Sequence, residues 1–367
     1  MNNQNSAPLP HNKTPVPVSS GYEDPVIEAF RGFAACMVML THFAFMVTPH
    51  GGMWGFFSTG VDLFFVLSGY VFAPYMLGRP LQVLPHLVRR FFRLVPLYWF
   101  ALAVYILLRW LTDGTILYAW RHAFFLHTTQ SLEIASWYNP AFWSLPPEVE
   151  YYALLPLLAW WSVRNGLWAM VALSIAVHLM LVFAANPDSN EVTARAIATV
   201  HVPGLLCEFL LGSLAAYLVR HAPKQHQRAM RFFSGLFLLV VVGCLYAVYV
   251  ADWGVPPKTP LWIGGNLGLF AACSYALILS SLAGSANSLQ QHPRAVFLLL
   301  GQWSYGVYLF HNAVPSFARW LGWDPVGWIW LLGSMCATFA WAWLLHRLLE
   351  APMRSWGRQL SLRLSSR

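Results

Sequence analysis

The chain contains 367 residues, of which 58% are hydrophobic and only 10% are charged, with 19 tryptophans and a formal net charge of +8. Soluble domains carry about 25% charged residues, so this composition disfavours a soluble enzyme, a disulfide-stapled secreted domain and a disordered scaffold. The positive charge does not indicate nucleic-acid binding, because that function needs a solvated basic face.

Apolar stretches long enough to cross a bilayer occupy most of the chain. A lipid-exposed backbone must satisfy its own hydrogen bonds, and these stretches lack the alternating pattern of a barrel. We therefore predict an all-α polytopic membrane protein with about ten transmembrane helices. The predicted spans are 27–48, 56–78, 95–111, 144–162, 166–185, 197–219, 232–251, 261–283, 296–318 and 326–349. Residues 115–135 are predicted to hold a short re-entrant or interfacial helix.

The distribution of basic residues predicts the orientation of the chain. With a cytoplasmic N-terminus, sixteen of the 22 Lys and Arg residues lie on the cytoplasmic side. The opposite side carries Arg121, Arg195, Lys258 and Arg319, while Arg31 and Arg109 lie within spans. This asymmetry is a strong positive-inside signal, so both termini are predicted to be cytoplasmic.

The ends of the chain are predicted to be short tails. Residues 1–25 are polar and proline-rich without a signal-peptide pattern, which predicts a disordered cytoplasmic tail. Residues 26–350 are predicted to form the transmembrane domain and residues 351–367 a short basic cytoplasmic tail. The five cysteines fall inside spans at irregular spacing, which suggests neither a disulfide framework nor a metal site.

Two ionisable residues of the first span, Arg31 and His42, are eleven positions apart. On a helix this spacing places them roughly 20° from the same face and about 16 Å apart along the axis. Ionisable groups inside a membrane are costly and mark a functional path unless they pair or snorkel. The alternative is that Arg31 snorkels to the interface and His42 is a satisfied core histidine.

The second span reads GVDLFFVLSGY and places Asp62 at a depth similar to that of His42. A carboxylate beside an imidazole fixes its tautomer and raises its basicity. The alternative role for Asp62 is local helix capping or packing. Gly60 and Gly69 are predicted to allow close helix approach rather than to bind phosphate.

Further polar groups occur at three other spans. Arg90 and Arg93 share a helix face and can clamp phosphates, or grip anionic lipid. Glu148 and Glu150 follow a Pro pair at the start of the fourth span, where the helix dipole also stabilises them. Glu208 lies mid-span and needs a partner or a proton.

The ninth predicted span carries a polar cluster on an otherwise apolar helix, with Ser304, Tyr305, Tyr308 and His311. Tyr308 and His311 share a face, and His311 lies toward the outer end. Core packing is the alternative role of Tyr308.

Taken in order, these segments resemble the acyltransferase family 3 of integral-membrane O-acyltransferases over residues 26–354. The motifs that carry the resemblance are Arg31 with His42, GVDLFFVLSG, Arg90 with Arg93 and Pro96, WSLPPEVEYY, SYGVYLFH, and Glu350 with Pro352 and Arg354. WSLPPEVEYY assigns the family glutamate to Glu148 and places Tyr151 where Phe is usual. Glu150 has no counterpart in the family pattern.

The resemblance implies transfer of an acyl group, most commonly acetyl, from cytoplasmic acyl-CoA to a hydroxyl of a carbohydrate assembled across the membrane. It implies no metal. On this interpretation Arg31, Arg90 and Arg93 bind the donor, and His42, Asp62 and Glu148 are the catalytic candidates. His42 acts as a general base or forms an acyl-histidine, two routes that the sequence leaves open. Tyr305, Tyr308, His311 and Glu150 are the expected substrate contacts.

The implied setting is a bacterial cytoplasmic (inner) membrane, with membrane lipid, a polysaccharide or lipid-linked glycan and polysaccharide-assembly proteins as partners. One alternative keeps the chemistry but changes the acceptor to a small molecule or a lipid precursor. The other is a carbohydrate transporter or flippase whose polar groups line a path. The absence of a detectable internal repeat weighs against transport.

Overall fold

The structure, a computed structural model, describes residues 24–48, 52–184, 194–221, 224–251, 261–283 and 291–366. Within these ranges the chain forms α-helices, a few 3-10 helical segments and one π-helical turn, without a strand. The helices are α1 (Pro25–Phe43), α2 (Gly60–Met76), α3 (Val83–Asp113), α4 (Ala119–Ala123), α5 (Leu132–Ser136), α6 (Leu145–Asn165), α7 (Leu167–Ala184), α8 (Ala194–Thr199), α9 (Val202–His221), α10 (Gln225–Ala251), α11 (Leu261–Leu282), α12 (Gln291–Phe310), α13 (Ala313–Trp320), α14 (Trp328–Leu345) and α15 (Ala351–Ser365). The predicted N-terminal tail lies almost entirely outside the described residues.

Eight helical segments of the described chain are long and apolar enough to cross a bilayer. They are Pro25–Met46, Gly52–Met76, Val83–Asp113, Leu167–Ala184, Ile197–His221, Gln225–Val248, Gly265–Leu282 and Trp328–Ser365. The remaining predicted spans, 144–162 and 296–318, fall on α6 and α12, which have 21 and 20 residues but more polar sequences. These helices confirm an all-α polytopic membrane protein.

Several element boundaries differ from the predicted spans. Helix α3 begins at Val83 rather than at residue 95, because arginine ends an apolar window but is a good helix former. The segment 115–135 holds two five-residue helices, α4 and α5, in place of one. The span predicted over 296–318 is interrupted between Phe310 and Ala313.

The C-terminal segment, predicted as a short basic tail, is helical over Ala351–Ser365. Helix α14 passes through a π-helical turn, His346–Glu350, directly into α15. A Cβ atom on Gly357 of α15 would lie 2.5 Å from the Cβ of Phe92 on α3. The basic C-terminal segment therefore packs against the arginine-bearing end of α3.

Glycines allow α2 to lie directly against α9 at the centre of the molecule. A Cβ atom on Gly69 would lie 1.6 Å from the carbonyl oxygen of Phe209, and one on Gly212 would lie 1.9 Å from that of Val66. The Ser213 hydroxyl of α9 stabilises this contact by donating a hydrogen bond to the Gly69 carbonyl oxygen of α2 at 2.9 Å. The predicted role of Gly69 in close helix approach is confirmed, and small residues serve this purpose in membranes generally.

Glycines also allow close contact between α1 and α12. A Cβ atom on Gly301 would lie 2.5 Å from the Cβ of Glu28, and one on Gly32 would lie 2.7 Å from that of Leu300. This crossing fixes the helix that carries His42 next to the helix whose C-terminal end leads directly into His311.

Candidate active site

A pair of histidines forms the centre of the site. His42 lies in the last turn of α1, and His311 directly follows α12. Their ring centroids are 4.9 Å apart, and Nε2 of His311 lies 3.2 Å from Nδ1 of His42. The α1–α12 crossing thus joins two residues that are 269 positions apart in the chain.

The hydrogen bonds around this pair define the tautomers of both rings. Nδ1 of His311 lies 3.1 Å from the carbonyl oxygen of Val307, and a carbonyl only accepts, so this nitrogen carries the proton. Nδ1 of His42 donates in the same way to Val38 at 2.9 Å. The single His42 Nδ1–H is therefore shared between the Val38 carbonyl and the lone pair of His311 Nε2, which leaves Nε2 of His42 unprotonated and able to take up a proton.

His42 opens into a polar cavity of about 370 Å³, named here the histidine cavity. Its walls combine hydroxyl groups, a carboxyl group and aromatic rings. They include Thr41, His42, Ser58, Thr59, Val61, Asp62, Trp143, Tyr246, Gly268 and Tyr308. Such a mixture of hydrogen-bonding groups and flat apolar rings suits a polyhydroxylated ligand.

Asp62 lies in the histidine cavity, but its carboxyl group is hydrogen-bonded to Glu208 rather than to an imidazole. Both carboxyl groups crowd the place where a side chain of Gly268 would stand, with oxygens at 2.8 and 3.3 Å from an added Cβ. A hydrogen bond between two carboxyl groups requires a proton, so the pair retains at least one. Glu208 thus has the partner that its mid-span position predicts.

A second cavity, named here the arginine cavity, lies between α2, α3, α6 and α12. Its lining includes Arg31, Ser68, Phe72, Arg90, Arg93, Glu148, Tyr152, Ser304, Tyr305 and Tyr308. The cavity is narrow, with about 60 Å³ of accessible space. A ligand much larger than water therefore requires the lining side chains to move apart.

The three arginines of this cavity have different surroundings. Arg31 forms an ion pair with Glu28 one turn earlier on α1. Arg93 lies within electrostatic range of Glu350, Glu28 and Glu148.

Arg90 has the least compensated charge of the three. Its guanidinium lies over the rings of Phe72 and Tyr152, at 5.0 and 5.6 Å from their centroids. Its buried Nε has no hydrogen-bond partner among the described residues. This leaves a buried donor available to an anionic ligand.

Glu148 belongs to the arginine cavity and not to the histidine cavity. Its carboxylate accepts a short hydrogen bond from the Tyr152 hydroxyl and a longer one, at 3.4 Å, from Ser68. The sequence placed Glu148 at the depth of His42 and Asp62, whereas the lining of the two cavities separates them. The catalytic role of Glu148 stays a prediction.

Tyr308 forms a wall between the two cavities. Together with Val61 it lines both of them. Its hydroxyl donates to the carbonyl oxygen of Ala141 at 2.7 Å and lies 2.5 Å from Oγ of Ser144. Ser144 lines the arginine cavity and Ala141 the histidine cavity, so one buried tyrosine stands where the two spaces meet.

The remaining predicted contacts are placed differently. Tyr305 lines the arginine cavity, with its hydroxyl donating to Leu94 at 2.9 Å. Glu150 lines neither cavity. One of its oxygens lies 2.5 Å from Nδ1 of His201, and the other accepts from the backbone of Val202 at 3.0 Å, which joins α6 to the start of α9.

Sequence reasoning assigned no role to Tyr152 and Ser68 of the arginine cavity, and it named Glu350 only as part of a family motif. Tyr152 lies four positions after Glu148, a helical spacing that signals contact. Ser68 lies inside the GVDLFFVLSG motif without a distinctive spacing of its own. Glu350 is remote in sequence, and only the packing of the π-helical turn near α3 brings its charge to Arg93.

These observations define a multi-pass helical membrane protein whose buried site joins a basic cavity to a histidine-bearing one. A family model described as an acyltransferase domain matches residues 24–347. The chain belongs to this family, acyltransferase family 3, as its motifs suggest.

Two relatives extend the similarity over most of the chain. Nodulation protein 10 of Rhizobium leguminosarum bv. viciae is 27% identical over 91% of this chain and 94% of its own length. Peptidoglycan O-acetyltransferase OatA of Listeria monocytogenes serovar 1/2a is 23% identical over 91% of this chain, but only 56% of the Listeria protein is covered. No solved structure matches the chain significantly.

Proposed function

We propose that the protein transfers an acyl group, most commonly acetyl, from acyl-CoA to a hydroxyl of a glycan. The observation that carries this proposal is the free Nε2 of His42 in a polar cavity, one tyrosine away from a cavity with three arginines. Membership of the family supports acyl transfer. The name of the Listeria relative supports O-acetylation of a carbohydrate polymer.

The arginine cavity is the proposed donor site. Arg90 and Arg93 would hold the phosphates, because guanidinium groups bind phosphate through paired hydrogen bonds. Arg31, on the same helix as His42, would guide the pantetheine arm toward the wall at Tyr308. Since the cavity is narrow, entry of the donor would displace the aromatic side chains that line it.

The histidine cavity is the proposed acceptor site, and His42 is the proposed general base. Nε2 of His42 takes the proton of the acceptor hydroxyl while the oxygen attacks the thioester carbonyl carbon. The C–S bond then breaks, and the imidazolium returns the same proton to the departing thiolate, so no net proton is gained or lost. The Nε2 lone pair of His311 accepts the Nδ1–H of His42 and so stabilises the His42 imidazolium.

A transient acyl-histidine is the competing route. In it Nε2 of His42 attacks the thioester directly and passes the acyl group to the acceptor in a second step. Enzyme that has met labelled acetyl-CoA without acceptor, and is then denatured rapidly in cold detergent at neutral pH to avoid acid hydrolysis of an acyl-imidazole, would carry label on His42 only in this second route.

The proposed membrane is the bacterial cytoplasmic membrane, with the arginine cavity toward the cytoplasm and the histidine cavity toward the outer side. Positive-inside charge asymmetry supports this orientation. The acceptor would then be met on the outer side, where polysaccharide-assembly proteins are the proposed partners.

The test of the proposed function is acyl transfer by purified protein in liposomes. We expect His42→Ala to abolish labelling of a glycan from [14C]acetyl-CoA while its melting temperature stays that of wild type. A folded His42→Ala protein with wild-type rate would refute the role of His42. Glycan movement across the membrane without acyl transfer would support a transporter instead.

The donor site has its own test in acetyl-CoA binding. Arg90→Gln and Arg93→Gln should each weaken binding, by about tenfold or more for loss of a charge-assisted hydrogen bond. Arg89→Gln is the matched control, since Arg89 neighbours Arg90 but does not line the cavity. Equal weakening by all three would indicate general attraction to anionic lipid or ligand rather than a phosphate clamp.

A further inference from the structure

A basic pocket, named here the α15 pocket, lies between α12 and the C-terminal helix α15. It encloses about 270 Å³, which is more room than the narrow arginine cavity offers. Its lining consists of Gln302, His346, Ala351, Arg354, Ser355 and Arg358. Ser355 and Arg358 are exposed, so the pocket opens to the exterior of the protein.

The donor groups of the α15 pocket suit a phosphate. Arg354 and Arg358 are four positions apart on one face of α15, so their Cβ atoms are about 6 Å apart, and two like charges at this spacing destabilise a helix. An anion bound between them would remove that repulsion. Ser355 and Gln302 add uncharged donors, and no carboxylate of the described chain lines the pocket. Guanidinium groups bind phosphate oxygens through paired hydrogen bonds.

The α15 pocket adjoins the arginine cavity at a buried carboxylate. One oxygen of Glu350 lies 3.7 Å from a guanidinium nitrogen of Arg354, and the same residue is within electrostatic range of Arg93. The backbone packs closely here, because a Cβ atom on Gly357 of α15 would lie 2.5 Å from the Cβ of Phe92, which precedes Arg93 on α3. The two basic spaces therefore meet where α15 contacts α3, and they share one carboxylate.

Acyl-CoA has phosphate groups at two separate places. It carries a diphosphate and, on the 3′ carbon of its ribose, a phosphate monoester with about two negative charges at neutral pH. We propose that the α15 pocket binds this monoester through Arg354 and Arg358, while the diphosphate meets Arg90 and Arg93 in the arginine cavity. An open pocket suits the nucleotide end of the donor, since only the acyl end must reach the wall at Tyr308. The inference rests on the proposed function for the identity of the donor.

Arg358 is the residue whose substitution tests the pocket most directly. Arg354 also pairs with Glu350, so its removal would disturb the contact between α15 and α3 as well. Arg358→Gln removes one guanidinium group from an exposed position and keeps a polar side chain of good helix propensity. Arg363→Gln is the matched control, because Arg363 is an exposed arginine of the same helix that does not line the pocket.

The test compares acetyl-CoA with 3′-dephospho-acetyl-CoA, which lacks only the monoester, by calorimetry on protein in phosphatidylcholine nanodiscs. We expect wild type to bind acetyl-CoA about tenfold more tightly than the dephospho form. Arg358→Gln should weaken binding of acetyl-CoA about tenfold, as for loss of a charge-assisted hydrogen bond, and leave binding of the dephospho form unchanged. Arg363→Gln should change neither affinity.

The possible outcomes separate this inference from the proposed function. Equal affinity of wild type for the two donors, or equal weakening of both by Arg358→Gln, would overturn the inference and leave the proposed function intact. If wild type binds neither donor, the donor site of the proposed function fails as well. Phosphatidylglycerol added to the nanodiscs tests the other source of phosphate, a lipid headgroup. The preference for acetyl-CoA should persist, and its loss would assign the pocket to lipid instead.

Discussion

The pairing of His42 with a second histidine suits a site inside a membrane. A carboxylate beside His42 would carry a full charge, which is expensive to bury in a low-dielectric interior. A neutral imidazole offers a lone pair for the same hydrogen bond without that cost. In the proposed mechanism, His311 is a positioning residue that shares the His42 Nδ1–H with the Val38 carbonyl and stabilises the charged form of His42.

The variant His311→Phe should lower kcat and leave KM for acetyl-CoA nearly unchanged. It removes one of the two acceptors of the His42 Nδ1–H and leaves the Val38 carbonyl in place. A hydrogen bond to a charged group contributes about 1.5–3 kcal/mol, so the expected loss is at the lower end of roughly 10- to 150-fold in rate. His311→Asn keeps an acceptor oxygen and should recover part of the loss. Steady-state kinetics over pH would check this, since a purely structural defect would lower both variants alike.

The wall at Tyr308 should also keep the two cavities from forming a continuous polar path. We expect Tyr308→Ala to let protons leak through liposomes containing the protein, measured with an entrapped pH-sensitive dye. Tyr308→Phe keeps the ring in place and should remain as tight as wild type. Leak-free vesicles with Tyr308→Ala would show that other side chains close the path.

At the scale of helices, the α2–α9 crossing allows no side chain at Gly69. An added methyl group would meet the Phe209 carbonyl at 1.6 Å, and the backbone of α9 must move to accommodate it. Gly69→Ala should therefore destabilise the fold by about 1–3 kcal/mol or more. Gly333→Ala gains helix propensity in open space and should not destabilise it. Thermal unfolding of both variants in detergent checks the difference.

Two stacked histidines in the segment between α3 and α6 should make the fold sensitive to acid. The His122 and His127 rings are 4.2 Å apart, and their Nε2 atoms donate to Ile134 and Phe142. Burial, reinforced by the neighbouring His127, lowers the pKa of His122 to about 3, and burial lowers the pKa of His127 to about 4.

The unfolded chain titrates near the ordinary histidine pKa of about 6.5 and so binds protons before the folded chain does. The contribution of His122 and His127 to the free energy of unfolding is complete above about pH 6.5. It is lost as the pH falls from there toward the pKa values of the two histidines in the folded chain. The melting temperature should fall between pH 7 and pH 5, and less steeply in a His122→Phe, His127→Phe double variant. If the melting temperatures of wild type and the double variant fall equally with pH, His122 and His127 are not the source of the acid sensitivity.

The sequence predicted the helices, but it did not predict which of their side chains face one another. Hydropathy located the helices, since their apolar runs must cross lipid, and helical spacing placed Arg31 and His42 on one helix. The depth of a residue in the membrane does not determine which neighbouring helix its side chain faces. Asp62 therefore pairs with Glu208 rather than with His42, and Glu148 lies among the arginines, because α2 packs on α9 and α6 faces α3.

At the scale of the whole molecule, the proposed donor and the charge asymmetry place the arginine cavity on the same side. Arg31 lies near the beginning of α1 and His42 in its last turn, so a single helix leads from the arginine cavity to the histidine cavity. Acyl-CoA is made in the cytoplasm, so the proposed reaction needs the arginine cavity on that side. The positive-inside prediction, which counts Arg90 and Arg93 among its sixteen cytoplasmic residues, assigns the same side to this end of α3.

Reporter fusions test this orientation directly. Alkaline phosphatase inserted after Gly114, in an exposed turn at the end of α3, should be active because it folds outside the cytoplasm. The same enzyme fused after the last residue should be inactive, whereas a green fluorescent protein there should fluoresce. The opposite pattern would place the arginine cavity away from its donor, and the proposed function would fail even if the fold and both cavities are correct.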